Sequence, residues 1–332
     1  MVEKNLKKKK RKEWVDVLRS IAMMLVIYGH RVSGWNEYFV FTSPIKIPLF
    51  FAITGYVFND ANGDFKVFLR KLWRTIIVPW IIIGGLPYLV AIPIRGWTFF
   101  ATKIMALLTG DTYWYMPCCI IAEIIWFFLL KYFKSTRVLG VLTVVLFGIG
   151  IELFKCGILS VFLINRAVSV QIFLYIGYLF NCYEKPVFRI IREAKPIITG
   201  TVIYLVIGIL SLVLYPGQCL DVHLCIYYNV FLCLLMILVG NITLTILIRN
   251  KIKKYPGWLT KIGQNTLIIY LLHGYLSRTV IKVFNIIHIP VNWVTSIFLT
   301  FVVCSAGMEI SALIHRFLPE LMGKSRTVPL KN

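Results

Sequence analysis

Residues 13–30 read EWVDVLRSIAMMLVIYGH, and the fold turns on how this stretch is taken. Its apolar run is long enough for a membrane-spanning helix, yet it carries Asp16, Arg19 and His30. An Asp or Arg at the centre of a bilayer costs about 2.5–3.5 kcal/mol on insertion scales. Three ionisable groups in one span therefore need a reason, and helical geometry offers one. Arg19 and His30 are 11 residues apart, which is three turns plus about 20°. They share one face, separated by about 16 Å along the axis. Asp16, three residues before Arg19, is within pairing reach of it. The plainer alternative is an Asp–Arg pair snorkelling at one interface and a histidine at the other. The common face favours a polar stripe running through the membrane.

Composition agrees with a membrane setting. Of 332 residues, 59% are hydrophobic and only 15% charged, where a soluble protein carries about a quarter charged. The apolar runs extend from residue 14 to residue 315, so one polytopic membrane domain (14–315) is expected, between a basic tail (1–13) and a second tail (316–332). Ten runs suffice to cross about 30 Å of hydrocarbon: 14–34, 45–59, 75–95, 114–133, 137–154, 167–183, 196–215, 226–248, 262–282 and 293–315. The expected fold is an all-α membrane bundle of about ten transmembrane helices.

The net charge of +22 and the run KKKKRK at 7–12 resemble a nucleic-acid patch. Topology accounts for them better, because Lys and Arg gather on the cytoplasmic side of spans. With the N-terminus inside, 27 of the 36 basic residues fall in cytoplasmic segments and 8 in outer ones, Arg19 lying in the membrane. Both termini are thus expected in the cytoplasm of a multi-pass cell-membrane protein, with membrane lipid and not nucleic acid as its surroundings. The first apolar run lacks a small-residue cleavage site and is expected to remain as an anchor. The eight cysteines show no CxxC or zinc spacing, and no metal site is expected. Cys219 and Cys225 share one outer loop with Asp221 and His223; free thiols are expected there over a disulfide. Oligomeric state cannot be read from the sequence.

No loop is long enough for a soluble catalytic domain, so any chemistry falls to residues on the helices. Arg70, Lys71 and Arg74 stand at the inner mouth of the third span, where they suit the phosphates of a cytosolic anionic ligand or serve as plain anchors. Trp114 and Tyr115 open the fourth span as an aromatic belt or a binding surface. Glu123, about nine residues deep, and Glu309 in the tenth span are intramembrane carboxylates and so candidate functional groups. In the ninth span Asn265 is placed to cap a helix. Tyr270 and His273 share a face there, and a histidine near mid-membrane calls for a polar partner or a wet cavity.

Taken together, the chain resembles the acyltransferase-3 family of integral-membrane acyltransferases. The likeness rests on VDVLRSIAMMLVIYGH (15–30), IPLFFAITGYVF (47–58), RKLWRTIIVPW (70–80), YWYMP (113–117), FLYIGYLF (173–180) and IGQNTLIIYLLH (262–273), in the family's order. It implies an acyl-CoA co-substrate, usually acetyl-CoA, with no permanently bound cofactor. It also implies transfer to a hydroxyl of a saccharide or lipid-linked saccharide near the outer face. His30 and Arg19 match the family's essential pair, and Arg70, Lys71 and Arg74 its basic motif. Two departures stand out: the usual Arg-x-x-Arg becomes Lys71-x-x-Arg74, and span 2 reads PIKIPLFF instead of the GGF…VD.FF of one large branch.

In this reading Asp16, Arg19, His30, Glu123 and Glu309 are the candidate catalytic residues. His30 acts as general base or covalent acyl carrier; Arg19 or a group on the ninth span stabilises the tetrahedral intermediate; Glu123 or Glu309 orients His30. The CoA phosphates fall to Arg70, Lys71 and Arg74. Trp114, Tyr115, Asn265, Tyr270 and His273 are the candidate substrate-binding residues. A transporter or flippase of a glycan intermediate is the competing reading, since a polar stripe across a bilayer is also what a pathway needs.

Overall fold

The computed structural model describes residues 11–32, 34, 36–184, 195–252 and 254–323. The basic runs at 7–10, at 185–194 and beyond 323, which carry much of the charge bias, lie outside the described residues.

Helices α1 (Glu13–Gly29), α2 (Asn36–Val57), α3 (Phe65–Leu72), α4 (Val78–Val90), α5 (Ile92–Thr109), α6 (Tyr115–Tyr132) and α7 (Thr136–Lys155) form the first part of the bundle. They are followed by α8 (Ile164–Ser169), α9 (Gln171–Cys182), α10 (Lys195–Leu214), α11 (Val230–Lys251), α12 (Gly257–Gln264), α13 (Thr266–Ile286) and α14 (Trp293–Phe317). Among the described residues there is no strand, only an isolated bridge between Asp221 and Ile226. Among the described residues, eight helices are long and apolar enough to cross a membrane, or nine if Val161–Ser169 and Gln171–Cys182, bent by 50°, are one broken span. α1 is shorter and more polar, at 17 residues with Asp16 and Arg19 inside it. The chain is an all-α, multi-pass membrane protein.

Backbone groups in an apolar bundle must be satisfied internally, and the loops show how. Asp64 accepts from the N–H groups of Lys66 and Val67 at 2.9 and 3.1 Å to start α3. Asn229 caps α11 through Leu232, and Asn292 with Thr295 forms a capping box on α14.

Several boundaries depart from the sequence reading. The second span begins at Asn36, nine residues early, because Pro44 and Pro48 lie inside α2 without ending it. The third begins at Phe65: α3, a π turn over Trp73–Ile77 and α4 run on as one helix of 26 residues. Arg70 and Lys71 therefore sit within a helix and not ahead of it. α5 lies where an outer loop with Arg95 and Lys103 is expected; it breaks at Gly96 (φ +79°) and is not among the helices apolar enough to span. The ninth span is two helices, α12 and α13, meeting at Asn265.

Glycine sets the two closest crossings. A Cβ on Gly177 of α9 would sit 1.7 Å from the Ala52 carbonyl oxygen, and one on Gly55 of α2 would sit 1.9 Å from the Leu174 carbonyl oxygen. Each backbone thus lies against the other, as small residues permit in membrane helix pairs. Gly263 of α12 meets the backbone of Asp16 in the same way, at 1.7 Å. Around these crossings Phe51, Trp126, Phe173 and Leu174 form one buried cluster. Phe68, Phe127, Ile268 and Leu271 form another.

Gly177→Val should lower the thermal unfolding midpoint of the detergent-solubilised protein, by the equivalent of about 1–3 kcal/mol, since backbone and not a flexible side chain blocks the new methyls. Gly148→Ala in α7, with nothing within 4 Å of the added carbon, should leave the midpoint unchanged or raise it.

Candidate active site

The face of α1 that carries Arg19 and His30 opens into two cavities. Arg19, Met23 and Val26 line a cavity of about 270 Å³. Val26, Gly29 and His30 line a second of about 600 Å³. The spacing of 4, 3 and 4 residues from Arg19 to His30 is that of one helical face.

At the N-terminal end of the stripe, Asp16 is 1% exposed. Two nitrogens of Arg11 donate to its oxygens at 2.7 and 2.8 Å, and Gln264 donates from α12 at 3.4 Å. Arg19 approaches only to 3.7 Å. The sequence pairs Asp16 with Arg19, but Arg11 is its closer partner. A two-point guanidinium contact is what a buried carboxylate needs. Arg11 is read from the sequence as a topological charge only. With Asp16 held by Arg11, Arg19 directs its side chain into the smaller cavity.

That cavity also takes in Lys71, Thr75, Tyr115, Cys119 and Glu123 among largely apolar walls. Cys119 Sγ lies 3.7 Å from Glu123 Oε1, one turn away on α6. Of the three basic residues at the mouth of the third span, Lys71 lines the cavity. Arg70 is exposed on α3, and Arg74 donates to the Gly323 carbonyl at 3.3 Å.

The larger cavity surrounds His30. The rings of His30 and His273 stack at 5.3 Å and 27°. His273 Nδ1 lies 2.5 Å from the Tyr270 carbonyl oxygen. A carbonyl only accepts, so Nδ1 carries the proton, and Nε2 keeps its lone pair. Across the cavity the Trp114 and His223 rings meet at 4.7 Å, tilted by 31°, with Lys46, Asp111, Asp221 and Arg278 also in the wall. Arg166 Nε donates to the His223 carbonyl at 2.5 Å and ties this loop to α8. Cys219 and Cys225 are free thiols. Tyr113, in a left-handed conformation (φ 58°), sends its hydroxyl to the Leu271 carbonyl at 2.7 Å. From this turn Trp114 faces the larger cavity and Tyr115 the smaller one.

Glu123 and Glu309 do not line the His30 cavity. Glu123 belongs to the Arg19 cavity, and Glu309 to a third space of about 520 Å³ with Arg11, Lys261 and Asn265. Asn265 sits at the α12–α13 junction but does not cap α13 with its side chain. It donates instead to the Lys261 carbonyl at 2.7 Å and accepts from Ser311 at 2.6 Å. Sequence reasoning assigns no role to Lys46, Asp111 or Arg278 and passes over the contact of His223 with Trp114.

A family model described as an acyltransferase domain matches residues 12–309, nearly the whole chain. The chain belongs to the acyltransferase-3 family. No curated protein and no solved structure matches it. Family membership makes it an integral-membrane acyltransferase, and the two cavities along α1's polar face are its candidate active site.

His223, in the loop outside the spans, is held below the ordinary imidazole pKa by burial and by Arg166, against a smaller opposing pull from Asp221. The folded state therefore binds fewer protons than the unfolded one as pH falls through and below about 6.5. Stability from this group is present above that range and lost on acidification. Melting curves at pH 7.5 and pH 5 should show a drop for the wild type that is smaller in His223→Gln.

Proposed function

We propose that the protein transfers an acyl group, acetyl by preference, from cytoplasmic acyl-CoA to a hydroxyl of a cell-surface or lipid-linked saccharide at the cell membrane. The observation that carries this reading is the division of the α1 face. Arg19 stands with Lys71 in a mostly apolar cavity, and His30 stands with His273 in a wider one.

The CoA phosphates dock at Lys71, with Arg70 and Arg74 on the same stretch, and the pantetheine arm lies along the apolar wall between Lys71 and Val26. The acceptor enters the His30 cavity, where Trp114 offers a flat apolar face to a sugar ring. His30 removes the hydroxyl proton, and the oxygen attacks the thioester carbonyl carbon. Arg19 is about 16 Å from His30 along the helix, too far to reach a carbonyl attacked beside His30. We therefore assign Arg19 to the donor arm and the oxyanion to the Tyr270 hydroxyl on α13. Collapse of the tetrahedral intermediate breaks the C–S bond, and the CoA thiolate takes the proton back from the His30 imidazolium. The products are an ester and free CoA. Two aliphatic side chains where the cavities meet favour this reading over a polar transport pathway.

Reconstituted protein with labelled acetyl-CoA and a simple saccharide acceptor tests the reading; absence of any transfer would sink it. His30→Ala should cut kcat by about 10²–10⁴-fold with the protein still in the membrane. Lys71→Glu should raise the KM for acyl-CoA and leave that for the acceptor. Intersecting initial-rate lines are expected for direct transfer, while a parallel pattern would assign an acyl-His30 intermediate instead.

A further inference from the structure

Among the described residues, the Arg19 and His30 cavities have three lining residues in common: Val26 on α1, Ile47 on α2 and Tyr270 on α13. On each helix this residue is a dividing point. Along α1, Met23 belongs to the Arg19 side and His30 to the other. On α13, Leu267 belongs to the Arg19 side and His273 to the other. On α2 the order is reversed, with Phe50 on the Arg19 side and Ser43 and Lys46 on the His30 side. Three helices thus each give one side chain to a partition one helical turn thick, about 5 Å. Val26 is 8% exposed. The Tyr270 ring is braced by Tyr115 at 5.8 Å, Tyr113 at 5.9 Å and His273 at 5.6 Å.

We propose that this partition selects the acyl group by length, with Val26 and Ile47 as the specificity-determining residues. The proposal rests on the acyl-transfer reading above and follows from the shape of a thioester. The sulfur arrives from the Arg19 side, and the attacking oxygen comes from the His30 side. The reacting carbon, which must lie about 3–3.5 Å from that oxygen, is therefore in the partition itself. Its two remaining substituents point sideways into the ring of side chains. The carbonyl oxygen is assigned, as above, to the Tyr270 hydroxyl; the acyl chain meets the aliphatic groups of Val26 and Ile47. Each added methylene must displace close-packed atoms, so the partition passes a short acyl group and resists a longer one. Between turnovers the same three side chains part the two cavities.

Purified wild type, Ile47→Ala and Val26→Ala are compared with acetyl-CoA and butyryl-CoA at a fixed acceptor, and the readout is the butyryl-to-acetyl ratio of kcat/KM. Discrimination by a methylene in an apolar pocket amounts to about 10–200-fold, so either truncation should raise the ratio at least about 10-fold. Ile47→Trp should lower it. Because a ratio is read within each protein, partial loss of overall rate does not mask the effect. If a truncation fails to fold, Ile47→Val should move the ratio the same way by a smaller factor. An unchanged ratio in variants that still transfer acetyl overturns the filter alone. A wild type that turns over neither donor overturns the acyl-transfer reading and the filter with it.

Discussion

The arrangement depends on a carboxylate that has no business in an apolar bundle unless it is held. Asp16 is buried, and the two-point contact from Arg11 satisfies it. A carboxylate left alone in such a place would be strongly destabilising, since desolvation of an uncompensated ion costs several kcal/mol. The contact also fixes more than charge. The Asp16 backbone lies against Gly263, and its side chain receives Gln264, so α12 is docked on α1 at the level of the ion pair. α13 starts directly beyond α12. The residues that face α1 from that helix, Tyr270 and His273, inherit their height in the bundle from this one junction.

Much of this was legible in residues 13–30. The 11-residue interval between Arg19 and His30 places them on one face by helical geometry alone, and that face is the one with cavities on it. Most of the ten apolar runs fall on helices close to their expected limits, because a long apolar stretch in lipid must satisfy its own backbone and does so as a helix. The failures have physical causes. The run at 45–59 is too short at its start, because Pro44 and Pro48 lie within α2, where a bundle tolerates them. α5 mixes Arg95 and Lys103 with exposed Ile94 and Trp97, a pattern that averages to a loop when only hydropathy is followed. Arg11 disappeared into the basic run KKKKRK, whose charge already fits the cytoplasmic end of a span. Which carboxylate met which cation was out of reach, because it depends on how separate helices are rotated against one another. The same limit left Glu309 beside Glu123 as an equal candidate, although they line different spaces.

The two cavities differ in the chemistry of their walls. The smaller has one long cation at its depth, a lysine at its mouth and apolar walls between, a shape suited to a thin ligand with a charged head. The larger is broader, with three histidines, an indole and several charges of both signs, and suits a polar ligand with many hydroxyls. In the reaction proposed above, their meeting at three side chains lets the reacting atoms touch without either substrate entering the other's compartment.

The crossing of α2 with α9 gives this meeting point a mechanical asymmetry. Gly55 and Gly177 bring the two backbones into contact, so α2 cannot slide or roll without driving carbonyl oxygens into the neighbouring helix. Ile47 therefore stands on a fixed wall. α13 is different: the chain is interrupted just before it at Asn265, and its own turn-by-turn hydrogen bonding starts afresh there. Of the three walls that meet between the cavities, the one carrying Ile47 is held by backbone against backbone, and the one carrying Tyr270 by the rings of Tyr113, Tyr115 and His273 around it.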